Sequence, residues 1–118
     1  MLIAANEELR LLEYGQRLAD QQRNVLASTG TASVGRAIFA AAIGGGGRAL
    51  GTSQVGLVVG APADIVSLDV RLPALSNRHG DALLDSWIFA TRGAGVDCVW
   101  RRGIKYAEGG VHRRRDAV

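Results

Sequence analysis

The sequence has little cysteine, few aromatic residues and no long apolar run. Its one cysteine, Cys98, excludes an internal disulfide and cannot form a zinc site alone. The longest apolar run, residues 37–43, is far shorter than the roughly 20 residues that a membrane span needs. Since the N-terminus also lacks the basic segment of a signal peptide, we expect a cytoplasmic protein that has no membrane segment.

The length allows one domain-sized core, whereas a complete (β/α)8 barrel typically needs about 250 residues. Of the 118 residues, 47% are hydrophobic and 21% are charged, which is the balance of a folded protein rather than a disordered one. The net charge of +3 is uneven, because residues 101–118 carry +4 and the first hundred residues sum to −1. The basic character therefore belongs to the tail, and we expect no nucleic-acid partner.

The N-terminal sequence has the periodicity of an amphipathic helix over residues 6–26. Asn6 is placed to cap this helix, and Glu7 and Glu8 fall in the first turn, where the helix dipole favours acidic residues. One side of the helix is apolar, with Leu11, Leu12, Leu18 and Ala19. The other side is polar, with Arg10, Glu13, Arg17 and Asp20.

A second helix is predicted after a break at Ser28, Thr29 and Gly30, with Thr31 or Ser33 as its cap. Its face carries Val34, Ala37, Ile38, Ala41 and Ala42. The glycine run 44–47 is expected to end the helix, because glycine adopts the left-handed capping geometry without strain. A phosphate-binding loop is the alternative, but a strand should precede such a loop and a lysine should close it.

The second half of the chain changes to the short β-branched segments that are typical of strands. We predict strands at 56–60 and 65–68, then a helix from Ala82 to Ala90 capped by Asp81, and a hairpin that pairs 96–100 with 104–107. The element order is α-α-β-β-α-β-β. The fold class is therefore α+β: two N-terminal helices, then a small, mostly antiparallel sheet with an inserted helix.

The sequence offers no convincing set of catalytic or metal-binding residues. His79 and His112 lack nearby acidic or cysteine partners at ligand spacing, so we interpret both as solvated. Cys98 or Ser86 could act as a nucleophile with a histidine, but no third group orients such a pair. The arginines at 113–115 are interpreted as a solvated terminus rather than a phosphate site. We therefore predict no catalytic, substrate-binding or metal residue in this chain.

Three segments resemble a known enzyme family: residues 7–18 (Glu-Glu-Leu-Arg-Leu-Leu-Glu-Tyr-Gly-Gln-Arg-Leu), 34–39 (Val-Gly-Arg-Ala-Ile-Phe) and 80–90 (Gly-Asp-Ala-Leu-Leu-Asp-Ser-Trp-Ile-Phe-Ala). They are similar to bacterial N-formimino-L-glutamate deiminases, which belong to the amidohydrolase superfamily. Residues 56–69 also resemble the Gly-x-Leu-x-x-Gly-x-x-Ala-Asp signature of amidohydrolases in general. The sequence is thus similar to the C-terminal part of such an enzyme.

The resemblance implies a parent enzyme with a (β/α)8 barrel and a zinc-type metal, whose bound hydroxide attacks the formimino carbon during histidine breakdown. Residues 1–52 would be the end of the barrel and 53–118 part of a C-terminal β-sandwich, together one compact unit. The family's His-x-His pair, later histidine and metal-site aspartate have no counterpart here, and the aspartate would fall just upstream of Met1. We therefore expect this chain to be inactive by itself and to hold no cofactor.

The resemblance also implies partners. The apolar stripe of the first helix would normally face the barrel, and strands 56–69 would pair with N-terminal sandwich strands. We expect the chain either to form a homo-oligomer, such as a dimer, or to pair with the missing N-terminal part of the enzyme. The alternative is a stand-alone, oligomeric interaction module derived from a truncated amidohydrolase gene.

Overall fold

The computed structural model describes residues 4–27, 30, 32–52 and 54–115. The predicted break at Ser28 and Thr29 and the alternative cap Thr31 lie outside these residues. The elements are α1 (Ala5–Asp20), α2 (Val34–Ala49), β1 (Ile65–Leu68), α3 (Gly80–Ala90), β2 (Val96–Arg101), β3 (Ile104–Glu108) and β4 (Val111–His112).

The strands form a four-stranded antiparallel sheet in the order β1-β2-β3-β4. Helix α3 is inserted between β1 and β2 in the chain. This arrangement confirms the predicted α+β class, with two N-terminal helices and a sheet interrupted by a helix. The element order differs from the prediction, because a strand expected before β1 is absent among the described residues and β4 was not anticipated.

The buried core lies where α2 and α3 meet, and it consists of Val34, Ile38, Leu75, Trp87 and Ile88. Leu75 comes from the turn before α3 and is fully buried. An aromatic contact joins the two helices, because the Phe39 ring meets the Trp87 ring edge-on at 6.1 Å between centroids. Apolar side chains at helical spacing on α2 and α3 thus form the core that the sequence periodicity predicts.

The predicted capping role of Asn6 is wrong. Helix α1 begins at Ala5 with Ala4 as its N-cap, and Asn6 is buried inside the first turn. Its side-chain amide instead bonds to a residue far away in the sequence: Nδ2 donates to Oγ1 of Thr91 at 2.8 Å. The predicted end at residue 26 is also wrong, since the helix stops at Asp20 and Gln21 takes a left-handed conformation.

Helix α2 begins as predicted, because the Ser33 hydroxyl accepts a hydrogen bond from the Arg36 amide at 2.9 Å. The predicted stop at 44–47 is wrong, since the helix continues through all four glycines to Ala49. Each glycine costs the helix about 1 kcal/mol relative to alanine, which a helix already supported by packing can tolerate. The left-handed turn comes later, at Gly51, where φ is 66°.

The predicted strand at 56–60 is wrong, whereas the one at 65–68 is confirmed as β1. Gly56 and Gly60 have φ values of 89° and 94°, which turn the backbone at both ends of the segment. The residues between them, Leu57, Val58 and Val59, expose their side chains. The β-branched composition was therefore a misleading signal, because no neighbouring strand among the described residues pairs with this segment.

The third helix and the hairpin follow the prediction with small shifts. Helix α3 starts at Gly80 rather than Ala82, and the predicted cap, Asp81, lies in its first turn. The Asp81 carboxylate instead accepts a hydrogen bond from Nε of Arg36 at 2.8 Å. The hairpin turn contains Arg102 and Gly103, both with positive φ, as in the turns that fit the twist of paired strands.

Candidate functional site

Helix α1 turns its polar side toward the rest of the protein and its apolar side outward. Glu13 is 0% exposed, whereas Leu18 on the opposite side is 82% exposed. An amphipathic helix of a globular protein normally does the reverse. The outward apolar side of α1 is therefore a candidate interaction surface.

Specific hydrogen bonds hold the polar side of α1 in place. The Glu13 carboxylate accepts from the backbone amides of Val25 and Leu26 at 3.2 and 3.0 Å, and from Nε of Arg17 at 2.6 Å. These bonds fold the segment after α1 back against the helix. The Arg17 guanidinium also lies 5.7 Å from the centre of the Phe89 ring, which ties α1 to α3.

A second anchor holds the N-terminal end of α1. The Asn6 amide donates to the carbonyl of Trp87 at 3.2 Å and to Oγ1 of Thr91 at 2.8 Å, and Arg10 donates to the Thr91 carbonyl at 3.3 Å. Asn6 and Thr91 are both buried. Because buried polar groups are costly without partners, this network fixes the rotation of α1 about its own axis.

The outward side of α1 is an apolar surface, which we call the α1 stripe: Leu11, Leu12, Leu18 and Ala19. Leu11 is 61% exposed and Leu12 is 53% exposed. The stripe adjoins a groove of about 310 Å³ between α1 and α2, lined by Leu9, Leu12, Leu26, Ala37, Ile38, Ala41 and Ala42. Exposed apolar patches of this kind mark interaction surfaces in soluble proteins.

A second exposed apolar segment precedes the sheet. The side chains of Leu57, Val58 and Val59 are largely exposed, as is Val66 on β1. Strand β1 lies at the edge of the sheet, so one of its sides has no strand neighbour among the described residues. An open edge beside exposed apolar residues is a place where a further strand can add.

The residues considered as chemical groups from the sequence do not form a site. His79 precedes α3 and is exposed, and His112 lies exposed on β4. Cys98 is buried on β2, where its amide donates to Oγ of Ser67 at 3.0 Å and its sulfur lies 3.5 Å from Oδ2 of Asp97. Ser86 lies half-buried on α3.

The described residues also do not fit a metal centre. No group of three or more histidine, cysteine, aspartate or glutamate side chains within this part of the chain is arranged to hold an ion. Zinc sites in enzymes use three protein ligands and a water. The described segment therefore cannot supply such a site from its own side chains.

Two surface pairs shift pKa values without forming a catalytic group. The Arg71 guanidinium donates to the Asp69 carboxylate at 2.7 Å, which holds the pKa of Asp69 below its usual range. The Glu108 carboxylate accepts from Nζ of Lys105 at 3.0 Å, which raises the pKa of Lys105. Each shift favours the charged form of an exposed ion pair.

Within the part of the chain that the structure describes, no helix is both long and apolar enough to cross a bilayer.

No family model matches the sequence. The chain is 49% identical over 84 residues to a formimidoylglutamate deiminase from Pseudomonas aeruginosa, an alignment that covers 71% of this chain and 18% of that enzyme. The structure resembles the crystal structure of an amidohydrolase from Brucella melitensis, with a TM-score of 0.89 and 52% sequence identity. That similarity covers 98% of this chain and 25% of the amidohydrolase.

The chain thus spans about a fifth to a quarter of the proteins it matches. The TM-score of 0.89 means that the backbone fold described above closely resembles that of the matched stretch within the longer amidohydrolase. Sequence and fold together identify the chain as a C-terminal segment of an amidohydrolase.

Proposed function

We propose that this chain serves as the C-terminal part of a metal-dependent amidohydrolase that hydrolyses N-formimino-L-glutamate in histidine breakdown. The observation that carries the proposal is the 49% identity to a formimidoylglutamate deiminase, together with the near-complete structural match to an amidohydrolase. In this proposal the metal and its ligands belong to the remainder of the enzyme, and the chain by itself is inactive.

The role that we propose for this chain is structural: its exposed apolar surfaces hold the remainder of the enzyme. The inverted orientation of α1 supports this role, because Glu13 and Asn6 occupy the inward side with satisfied hydrogen bonds while Leu18 faces outward. Burying a leucine side chain contributes roughly 1.5–3 kcal/mol. Covering the three leucines of the α1 stripe would therefore give a strong contact.

The partner that we propose for the stripe is the part of the amidohydrolase polypeptide outside the matched segment. In the Brucella amidohydrolase, three quarters of the chain lies beyond the 25% that matches here. The segment 57–59 and the open edge of β1 offer a second contact to that same remainder.

A split-enzyme experiment tests the proposal. The 118-residue chain is mixed with a Pseudomonas formimidoylglutamate deiminase truncated before the matched segment, and ammonia release from N-formimino-L-glutamate is measured. We expect neither part to be active alone and the mixture to release ammonia. Leu18→Glu in the chain should abolish the recovered activity, because it places a charge in the stripe contact.

The control for this experiment is Ser76→Glu, which adds the same charge at an exposed polar position outside the stripe. It should leave the recovered activity unchanged. Activity of the 118-residue chain alone, or equal loss in both variants, would contradict the proposal.

A second copy of the chain is the other occupant that the α1 stripe could accept, as expected for a stand-alone oligomeric module. The exposure of Leu11 and Leu18 favours this candidate as well. Native mass spectrometry of the chain, with and without zinc, distinguishes the cases. A metal-free dimer that Leu18→Glu converts to a monomer supports self-association through the stripe, whereas a wild-type monomer argues against it.

A further inference from the structure

The edge of the sheet farthest from β1 contains a basic cleft that neither the family resemblance nor the proposed function accounts for. The cleft has a volume of about 900 Å³ and lies along β3, β4 and the turn that follows, with Lys105, Tyr106, Glu108, His112, Arg113 and Arg115 among its lining residues. We propose that this β3–β4 cleft binds a small ligand with several phosphate groups.

One basic side chain of the cleft, Arg113, is held by contacts with the sheet. The backbone amide of Arg113 donates to the Tyr106 carbonyl at 2.9 Å, which continues the strand pairing beyond β4. The Arg113 guanidinium carbon then lies 4.1 Å from the centre of the Tyr106 ring, within the range of a cation–π contact. Arg113 is therefore positioned by its neighbours, which lowers the entropy cost of binding a ligand.

The charge balance of the cleft favours an anion. Among the described residues, three cationic side chains, Lys105, Arg113 and Arg115, line it together with one carboxylate, Glu108. The Glu108 carboxylate lies 3.0 Å from Nζ of Lys105, so its charge is matched within the cleft. The two arginines supply the remaining positive charge, and guanidinium groups bind phosphate oxygens through paired N–H donors.

The aromatic residues argue for a small anion rather than a nucleic-acid strand. Proteins that bind single strands present aromatic faces on which bases stack. Here the Tyr106 ring already contacts the Arg113 guanidinium and stacks on His112, with ring centroids 6.1 Å apart. The positive charge is also confined to this end of the chain, since the first hundred residues sum to −1.

The test uses sodium tripolyphosphate and the ¹⁵N-labelled 118-residue chain, followed by two-dimensional NMR at low ionic strength. We expect saturable shifts of the amide signals of residues 105–115, beyond those caused by sodium chloride of equal ionic strength. The double variant Arg113→Gln, Arg115→Gln should weaken the affinity by about tenfold or more, because both guanidinium contacts are lost.

The matched control is Arg23→Gln, Arg78→Gln, which removes the same charge from exposed positions outside the cleft. This control should retain the wild-type affinity, and far-UV circular dichroism checks that both variants fold. Equal weakening in the control, or equal shifts with sodium chloride, would overturn the proposal. A short single-stranded oligonucleotide that binds more tightly than tripolyphosphate, and shifts residues far from the cleft, would overturn it in favour of a nucleic-acid surface.

Discussion

Two glycine-to-alanine changes in α2 should alter stability in opposite directions. At Gly46 an added Cβ would meet no heavy atom within 4 Å, so alanine gains only its better helix propensity. At Gly35 the Cβ would lie 2.6 Å from Oδ1 of Asp85 and 3.0 Å from its backbone nitrogen. The same substitution therefore tests an open surface at Gly46, near the C-terminal end of α2, and a tight contact with α3 at Gly35, near its N-terminal end.

The magnitudes follow from these distances. Gly46→Ala should raise the free energy of unfolding by about 0.5–1 kcal/mol, the propensity difference in a helix interior. Gly35→Ala gains the same propensity but forces α2 away from α3, and overpacking of this kind typically costs about 1–3 kcal/mol. It also disturbs the hydrogen bond from the Gly35 amide to Asp85, at 2.7 Å, which is worth about 1–2 kcal/mol. After the propensity gain is subtracted, we expect a net loss of roughly 1–4 kcal/mol.

The assay is urea denaturation of the 118-residue chain, followed by circular dichroism and by tryptophan fluorescence, to which Trp87 in the core and Trp100 on β2 both contribute. Destabilisation by Gly46→Ala would refute a continuous helix through the glycine run. Stabilisation by Gly35→Ala would refute the close contact between α2 and α3. The double variant Gly35→Ala, Asp85→Ala should not recover the lost stability. The Asp85 backbone remains within 3.0–3.1 Å of the new Cβ, and the Gly35 amide and the Ser33 hydroxyl lose their acceptor.

Three further measurements test other contacts. Glu13→Ala should lower the free energy of unfolding by about 3 kcal/mol, because it leaves two backbone amides without their acceptor, whereas the exposed Glu8→Ala should change it by no more than about 0.5 kcal/mol. Arg71→Ala should raise the pKa of Asp69 toward its ordinary value in a carboxyl NMR titration. Because the folded-state pKa of Asp69 is lowered, its contribution to stability is complete above about pH 4 and is lost as the pH falls through the folded-state pKa. Arg102→Asn should stabilise the hairpin by about 0.5–1 kcal/mol, since asparagine tolerates positive φ better, and thermal unfolding would show the gain.

Periodicity predicts the two faces of α1 but not which of them turns inward, and only the family resemblance implied that the apolar face contacts a part outside this chain. Periodicity separates Leu11 and Leu18 from Glu13 and Arg17, and the structure keeps that separation. Which face turns inward depends on partners such as Thr91, and no local pattern specifies a contact over that distance. The general rule that apolar residues of an amphipathic helix face the core does not hold for α1.

Glycine was the least reliable signal along the chain. The run at 44–47 was interpreted as a helix stop, yet the helix continues, because packing of α2 outweighs the local preference. Gly56 and Gly60 were included in a predicted strand, yet their positive φ values turn the backbone and no strand forms there. The turn at Gly103 was placed correctly because strong β-branched and aromatic segments flank it on both sides.

The basic cleft could be located only in part from the sequence. From the sequence, the arginines at 113–115 are interpreted as a solvated terminus, because no sequence pattern indicates that β4 pairs with β3 and brings Arg113 over Tyr106. Strand β4 has two residues, which is too short for a periodicity argument. The absence of candidate catalytic and metal residues stays a prediction for the chain as a whole.

The hydrogen bond between Asn6 and Thr91 spans 85 positions of the chain, and it has a consequence for how the protein is made. During synthesis α1 leaves the ribosome before α3 does, but the anchor of its buried polar side, Thr91, directly follows α3. Contacts of such high sequence separation form slowly, because a long loop must close before they contribute. Until α3 has emerged, the Asn6 amide lacks its partners and the α1 stripe is uncovered, so a nascent chain stopped before Thr91 should depend on a chaperone to stay in solution.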